Sequence, residues 1–386
     1  MIFCWQDNVA NKITLFSNDL MGLIKDIYSP AFYNKFTEAV KSIHHSFDKE
    51  GFMTAVLGNG FEQMEWKDRM KHTTRCFHQF LAADFPEAVQ LIKNIIDKLR
   101  ADGQDQGGLA HIFLADYIET YGLDDLENAV SAFEFITQFI SCEFAVRPFI
   151  IKYGDQMIKE MVSWSKHKNY HVRRLSSEGS RPRLPWAMAI PALKRNPEPI
   201  LPILENLKTD PSEYVRRSVA NSINDIAKDH PDIVIALAAR WQGISKETDA
   251  IIKHGSRTLL KQGHVDILKQ YGLESGKIAV QDFRILTPEV KIGESVEFAF
   301  SITNQNPASH TVRLEYGIYY KKSKGHLARK VFKISEKVYE PNVTVNINRK
   351  QSFRLITTRV FHVGEHQVSI IVNGEEKGLL DFVLSK

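Results

Sequence analysis

Tyr170-His171-Val172-Arg173-Arg174 and Glu213-Tyr214-Val215-Arg216-Arg217 align at a separation of 43 residues, and Ala250-Ile251-Ile252-Lys253-His254 follows 37 further on. Periods near 40 built from helix pairs mark HEAT-type solenoids, in which a single repeat cannot bury its own apolar face and stacking supplies the core. In the second copy Val215, Val219, Ile223 and Ile226 share one helical stripe. Arg217, Asn221, Asp225 and Lys228 share another, which is expected to face outward. The helical pattern continues on the N-terminal side. Residues 61–80 and 85–99 space their apolar side chains by three and four, with Pro86 at the start of the second run. Residues 101–108 read as a loop, and 125–149 as a further helix pair.

Beyond residue 275 the periodicity changes to two. Ser295-Val296-Glu297-Phe298-Ala299-Phe300-Ser301-Ile302 and His366-Gln367-Val368-Ser369-Ile370-Ile371-Val372 alternate, and turn signals such as Asn304-Gln305-Asn306-Pro307 separate such runs. About seven strands in roughly 110 residues is the size of an immunoglobulin-like sandwich, here without its cysteine pair. The expected organisation is multidomain: an all-α HEAT-like solenoid over residues 1–275 and an all-β Ig-like sandwich over residues 276–386.

Composition sets the frame for function. The 386 residues carry 50 basic and 46 acidic side chains, with 43% hydrophobic and 25% charged residues, as in an ordinary globular chain. Cys4, Cys76 and Cys142 are too few and too scattered for a disulfide framework or a metal knuckle, so a reducing, cytoplasmic location is expected. No run of 18 uncharged apolar residues occurs and the first residues lack a basic leader, which argues against export and against membrane spanning. GxxxxGK[ST], strand-flanked GxGxxG, HExxH and GxSxG are all absent, so the usual signatures of nucleotide hydrolysis, Rossmann redox chemistry, zinc proteolysis and α/β-hydrolase chemistry are missing. Neither a metal nor a cofactor is expected. The net charge of +4 hides an asymmetry: residues 277–386 hold 17 basic against 11 acidic side chains, and residues 163–230 hold 12 against 7. The remainder is acidic. Two basic segments on an acidic scaffold point to a polyanionic partner, although a charge run can also be a solvated face.

The densest stretch is WSKHKNYHVRRLSSEGSRPRLPWAMAIP, residues 164–191, where Arg173, Arg174, Arg181 and Arg183 are interleaved with Trp164, Tyr170 and Trp186. Arginine grips phosphate oxygens bidentately and keeps its charge, and the hydroxyls of Ser176, Ser177 and Ser180 are further phosphate ligands. This reads as a nucleic-acid backbone cradle, to which Arg216 and Arg217 add. An arginine-rich turn between repeats, making pairs within the chain, is the bland alternative. Lys322 and Lys324 add charge to a hairpin-like stretch of the sandwich. A carboxylate inside such a cradle repels phosphates and needs a reason. Glu178 has two: an i, i+4 pair with Arg174, or placement where positive charge develops in a reaction. Glu143, in a mostly apolar run, and Asp225 share the ambiguity.

At these residues the chain resembles the AlkC-type DNA alkylation repair glycosylases, HEAT-like relatives of AlkD. The likeness is carried by Cys142-Glu143-Phe144-Ala145-Val146-Arg147-Pro148, by HVRRLSSEGSRPRLPW at 171–186, and by YVRRSVANSINDIAKDHP at 214–231. It extends over residues 60–270, and the sandwich looks like the Ig-like domain of one branch. The resemblance implies a monofunctional glycosylase that removes 3-methyladenine and 3-methylcytosine from double-stranded DNA without flipping the base. It places the family's acids on Glu143, Glu178 and Asp225 and its DNA-facing arginines on Arg174 and Arg181. A monomer is expected, with alkylated duplex DNA as partner. A HEAT scaffold that binds nucleic acid or protein partners without chemistry is the competing reading.

Overall fold

The computed structural model describes residues 24–58, 60–81, 84–274, 276–355 and 360–386. The opening residues, Cys4 among them, and Ser275 at the expected boundary lie outside these. The chain divides into two compact units, residues 1–225 and 226–386. The change from helix to strand falls later, between the helix Val265–Gln270 and the strand Ile278–Ile285.

The first unit is helical throughout its described residues. Trp66–Leu81 packs on Phe113–Tyr121, Phe85–Ala101 on Leu126–Ile136, and Asp155–Trp164 on both Tyr170–Gly179 and Leu201–Leu207. Local chemistry sets the ends. Ser29, Asp48, Asp84, Asp125 and Asn169 each accept a backbone N–H in the first turn of the helix they precede. The helix expected from residue 61 starts at Trp66, because Phe61–Gln63 is a separate 3₁₀ turn behind Gly60. The helix pair expected over 125–149 is realised as Leu126–Ile136 and Arg147–Tyr153, with a turn segment between them that carries Glu143. Phe36, Phe52, Phe77, Phe113 and Tyr117 interlock edge to face in the core of the early helices.

The period of 43 has a physical basis in backbone capping. Arg173 donates to the carbonyls of His167 and Lys168, six and five residues before it. Arg216 donates to those of Asp210 and Pro211 at the same offsets. Each arginine thus ties down the loop that enters its own helix.

In the second unit the helices Pro231–Trp241, Lys246–Gly255, Arg257–Gln262 and Val265–Gln270 precede, among the described residues, eight strands: β1 Ile278–Ile285, β2 Glu289–Lys291, β3 Ser295–Asn304, β4 His310–Lys321, β5 Leu327–Tyr339, β6 Thr344–Ser352, β7 Gly364–Val372 and β8 Glu375–Ser385. They form two sheets, ordered β1-β3-β6 and β2-β8-β7-β4-β5, antiparallel except for β2 on β8. Val296, Phe298, Phe300, Leu314, Ile318, Val368 and Ile370 fill the space between them. The last helices are fastened to the sandwich. Lys253 pairs with Glu336 on β5, and Gly263, at φ +75°, lies so near the β7–β8 turn that a Cβ would meet the Gly374 carbonyl oxygen at 2.6 Å. Lys322 and Lys324 are exposed at the β4–β5 turn.

Candidate active site

The three carboxylates singled out in the sequence come together in the first unit, joined by two arginines. Arg174 Nη1 donates to Glu143 Oε2 and, at 2.7 Å, to Ser141 Oγ, whose hydroxyl reaches the same carboxylate at 2.9 Å. Arg174 Nη2 lies 3.7 Å from Glu178 Oε1, which accepts from Arg181 Nη1 at 2.6 Å. Arg181 Nε then donates to Asp225 Oδ2 at 2.8 Å. The order Glu143, Arg174, Glu178, Arg181, Asp225 alternates in charge, and every member is between 2% and 6% exposed. A sixth charge, Arg147, is fully buried. It donates from Nε to the Met188 carbonyl at 2.7 Å and from Nη1 to those of Gly179 and Arg181 at 2.9 and 2.8 Å. Burial and the neighbouring Arg181 bring Arg147 down to about 10. Three carboxylates and three guanidiniums therefore balance inside the protein.

Three neighbouring segments hold this chain in place. Glu143 lies in the turn before Arg147–Tyr153, Arg174 and Glu178 on Tyr170–Gly179, and Asp225 near the end of Glu213–Ile226. Ser177 and Ser218 hydrogen-bond across the two repeat helices at 2.7 Å, and the Tyr214 ring covers the Arg174 guanidinium at 4.7 Å. Gly179 allows the close approach, since a Cβ there would come within 2.6 Å of Val146 Cγ1. Burial alone would raise the Glu178 carboxyl. Arg174, Arg181 and the Ser218 hydroxyl outweigh it and hold the group below the ordinary carboxylate value, so it is ionised at neutral pH. Burial would likewise lower the Arg174 guanidinium, but Glu143, Tyr214 and Glu178 more than offset this and raise it.

Several expectations are corrected. The outward row Arg217, Asn221, Asp225, Lys228 is split: Asn221 and Asp225 are buried, Arg217 is partly buried and Lys228 is exposed. Trp164 is a core side chain, 2% exposed, whose indole donates to Glu134, so it offers no face to a nucleic acid. Arg174 and Arg181 are turned inward onto carboxylates rather than outward onto phosphates. Arg173 forks onto Asp210 at 2.5 and 3.1 Å, and with Arg216 it serves the loops described above. Arg217 pairs with Glu213 at the surface and Arg183 is partly buried. Trp186 is 50% exposed, at the unusual φ of +66°, with its ring 5.9 Å from that of Trp66 and its carbonyl taken by Lys67. A non-glycine residue held at positive φ is a strained arrangement of the kind that gathers at functional sites. Lys67 carries no motif in the sequence; its place beside Trp186 follows only from the folded chain.

Among the described residues no cluster of His, Cys, Asp or Glu could hold a metal ion, and no helix is long and apolar enough to cross a membrane. A stack of helical repeats around a buried chain of acids and arginines, followed by a two-sheet sandwich, defines a HEAT-like repeat protein with an Ig-like domain. Residues 200–230 match the HEAT repeat, and residues 279–386 match the family described as the C-terminal Ig-like domain of the uncharacterised protein YhaZ. Over 363 residues the chain is 41% identical to YhaZ of Bacillus subtilis (strain 168), covering 94% of this chain and 99% of that one. It is also similar to the alkylpurine DNA glycosylase AlkC of Pseudomonas fluorescens, solved bound to DNA containing an abasic site analog. That likeness has a TM-score of 0.88 at 32% identity and covers 95% of this chain and 100% of the other. The chain belongs to the AlkC family of DNA alkylation repair glycosylases, in the branch with a C-terminal Ig-like domain.

Proposed function

We propose that this protein is a monofunctional DNA glycosylase of base excision repair that removes cationic N3-alkylated bases, 3-methyladenine and 3-methylcytosine, from double-stranded DNA. The observation that carries the reading is the buried Glu143–Arg174–Glu178–Arg181–Asp225 chain, set in a fold shared over 95% of this chain with an alkylpurine glycosylase. An N3-alkylated base already bears a positive charge and leaves readily. What remains is an oxocarbenium-like sugar, which carboxylates stabilise electrostatically while one of them orients the attacking water. Glu178 has the most accessible side chain of the three acids, at 8% against 4% and 2%. The arginines act on the acids: they keep Glu178 ionised and fixed before substrate arrives, so little reorganisation is needed during the reaction. No base need leave the stack, because the acids act on the sugar.

Incubating the protein with methylated duplex DNA and measuring free 3-methyladenine tests this directly; no release would overturn it. One observation favours the non-enzymatic alternative, since three acids balanced by three arginines is also what a structural network looks like. The same assay decides between them. Leaving-group chemistry supplies a second expectation. A carboxylate held ionised cannot protonate a departing base, so uracil and hypoxanthine should be released at least a hundredfold more slowly than 3-methyladenine, a gap of about 2.7 kcal/mol. Comparable uracil release would contradict the scheme.

Lys322 and Lys324 are proposed as further backbone contacts from the sandwich. Replacing both with alanine should flatten the log–log salt dependence of DNA affinity by about 1.8, since each lost phosphate contact removes about 0.9. Point variants suit this better than truncation at residue 276, which would cut through a compact unit that begins at Ile226. An unchanged slope would make the turn a protein-interaction surface.

A further inference from the structure

The helix Trp66–Leu81 carries Lys67, Lys71 and Arg75 at successive i, i+4 positions, all exposed. That spacing sets them on one face about 6 Å apart along the axis. Among the described residues Lys71 and Arg75 have no ion-pair or hydrogen-bond partner. The Lys67 ammonium gives one proton to the Trp186 carbonyl and sits 5.8 Å from the centre of the Phe144 ring, next in sequence to Glu143. Like charges at i, i+4 repel and weaken the helix that bears them, so folding gives no reason for the stripe. Asp68, three residues before Lys71 on the same helix, is exposed and forms no ion pair with it among the described residues. Asp116 is buried and accepts from the Thr74 hydroxyl at 2.6 Å. Glu119 is partly buried, and burial and Asp116 push it up to about 7 against the opposing pull of Lys71 and Lys67. At the Lys67 end stands the half-exposed Trp186, backed by Trp66.

We propose that Lys67, Lys71 and Arg75 form a track for consecutive phosphates of one DNA strand beside the acidic chain, with the Trp186 indole against the sugar or base at its near end. This subsite rests on the glycosylase reading for its partner. A run of point charges along one face suits a phosphate backbone, which repeats its charge regularly along a strand. A solvent-facing aromatic ring suits a sugar or an unstacked base, because every base has a π-face. Lys67 keeps two ammonium protons for a phosphate while holding the Trp186 loop.

The test uses the full chain and a duplex containing a tetrahydrofuran abasic analogue, with affinity read by fluorescence anisotropy from about 50 to about 200 mM salt. Lys71→Ala and Arg75→Ala should each reduce the magnitude of the salt slope by about 0.9 and weaken binding about fivefold near physiological salt; the double variant should lose about 1.8. Lys71→Arg should restore the slope. Trp186→Ala should weaken binding about fivefold or more with the slope unchanged, because stacking releases no counterions. Wild-type slopes and affinities in both single lysine and arginine variants would overturn the track. Since the assay reads binding to a product analogue, a protein that binds with this pattern but releases no 3-methyladenine keeps the track and loses the enzymatic reading. A protein that releases the base with unaltered slopes does the reverse.

Discussion

Glu178→Gln and Asp225→Asn should each slow the release of 3-methyladenine by about 10² to 10³ while the affinity for duplex DNA holds, a loss of about 2.7 to 4 kcal/mol at the transition state. That size is typical of single electrostatic stabilisers in other enzymes, and the local geometry explains why it transfers. The amide introduced by Glu178→Gln keeps an oxygen able to accept from Arg181, so the fold should survive. What disappears is one negative charge from a cluster in which three carboxylates balance Arg147, Arg174 and Arg181. The altered cluster is net positive and repels the developing oxocarbenium charge instead of attracting it. Glu143→Gln should act in the same direction through Arg174. The measurement is single-turnover excision alongside equilibrium binding to an abasic-analogue duplex. A variant that excises within threefold of wild type would remove its carboxylate from the site, and a loss seen equally in affinity would point to binding rather than chemistry.

The fold was legible because both of its units advertise their period. The helix–loop–helix spacing and the alternation of β3 and β7 each follow from which faces must be apolar, and the structure has those elements. The eighth strand was harder to see: β2 is only Glu289–Lys291, directly after Pro288, and it pairs in parallel with β8 rather than in a hairpin. Polar residues misled more than apolar ones. Asp225 and Asn221 look like an outward row because hydrophobicity is the only guide to burial in a bare sequence, yet ionic pairing can bury a charge on a face that reads as polar. Trp164 sits in a basic run and reads there as a contact, but its helix presents it to the core. Arg173 and Arg216 gave away the repeat for a reason unrelated to DNA, since they cap their own loops. The i, i+4 relation of Arg174 to Glu178 was visible at once, whereas the link from Arg174 back to Glu143 spans 31 residues and needs the folded chain. The Lys67, Lys71, Arg75 stripe was equally present in the sequence, and what singles it out is the position of Trp186 beside it.

Arg174 and Arg217 occupy the same place in successive repeats, and replacing each with methionine should give opposite results. Arg174 is buried between Glu143 and Glu178, so removing it strands carboxylates in a dry interior and should cost about 3 to 5 kcal/mol. Arg217 pairs with the exposed Glu213, and its loss should cost no more than about 1 kcal/mol. Acid separates the two further. In the wild type the Glu178 carboxyl is held below its unfolded value of about 4.3, so its contribution is complete above that pH and is lost as pH falls through the folded value. Without Arg174 its leading source of stabilising charge is gone and burial pushes the group upward, so the variant can relieve the penalty by taking up a proton. The stability deficit of Arg174→Met should therefore be largest near neutrality and shrink as the pH is lowered towards about 4, while that of Arg217→Met stays small throughout. Urea unfolding of the three proteins across that range provides the check. Equal deficits in the two variants, or an Arg174→Met deficit that does not change with pH, would mean that the acid–arginine chain is not the charge-balanced core described here.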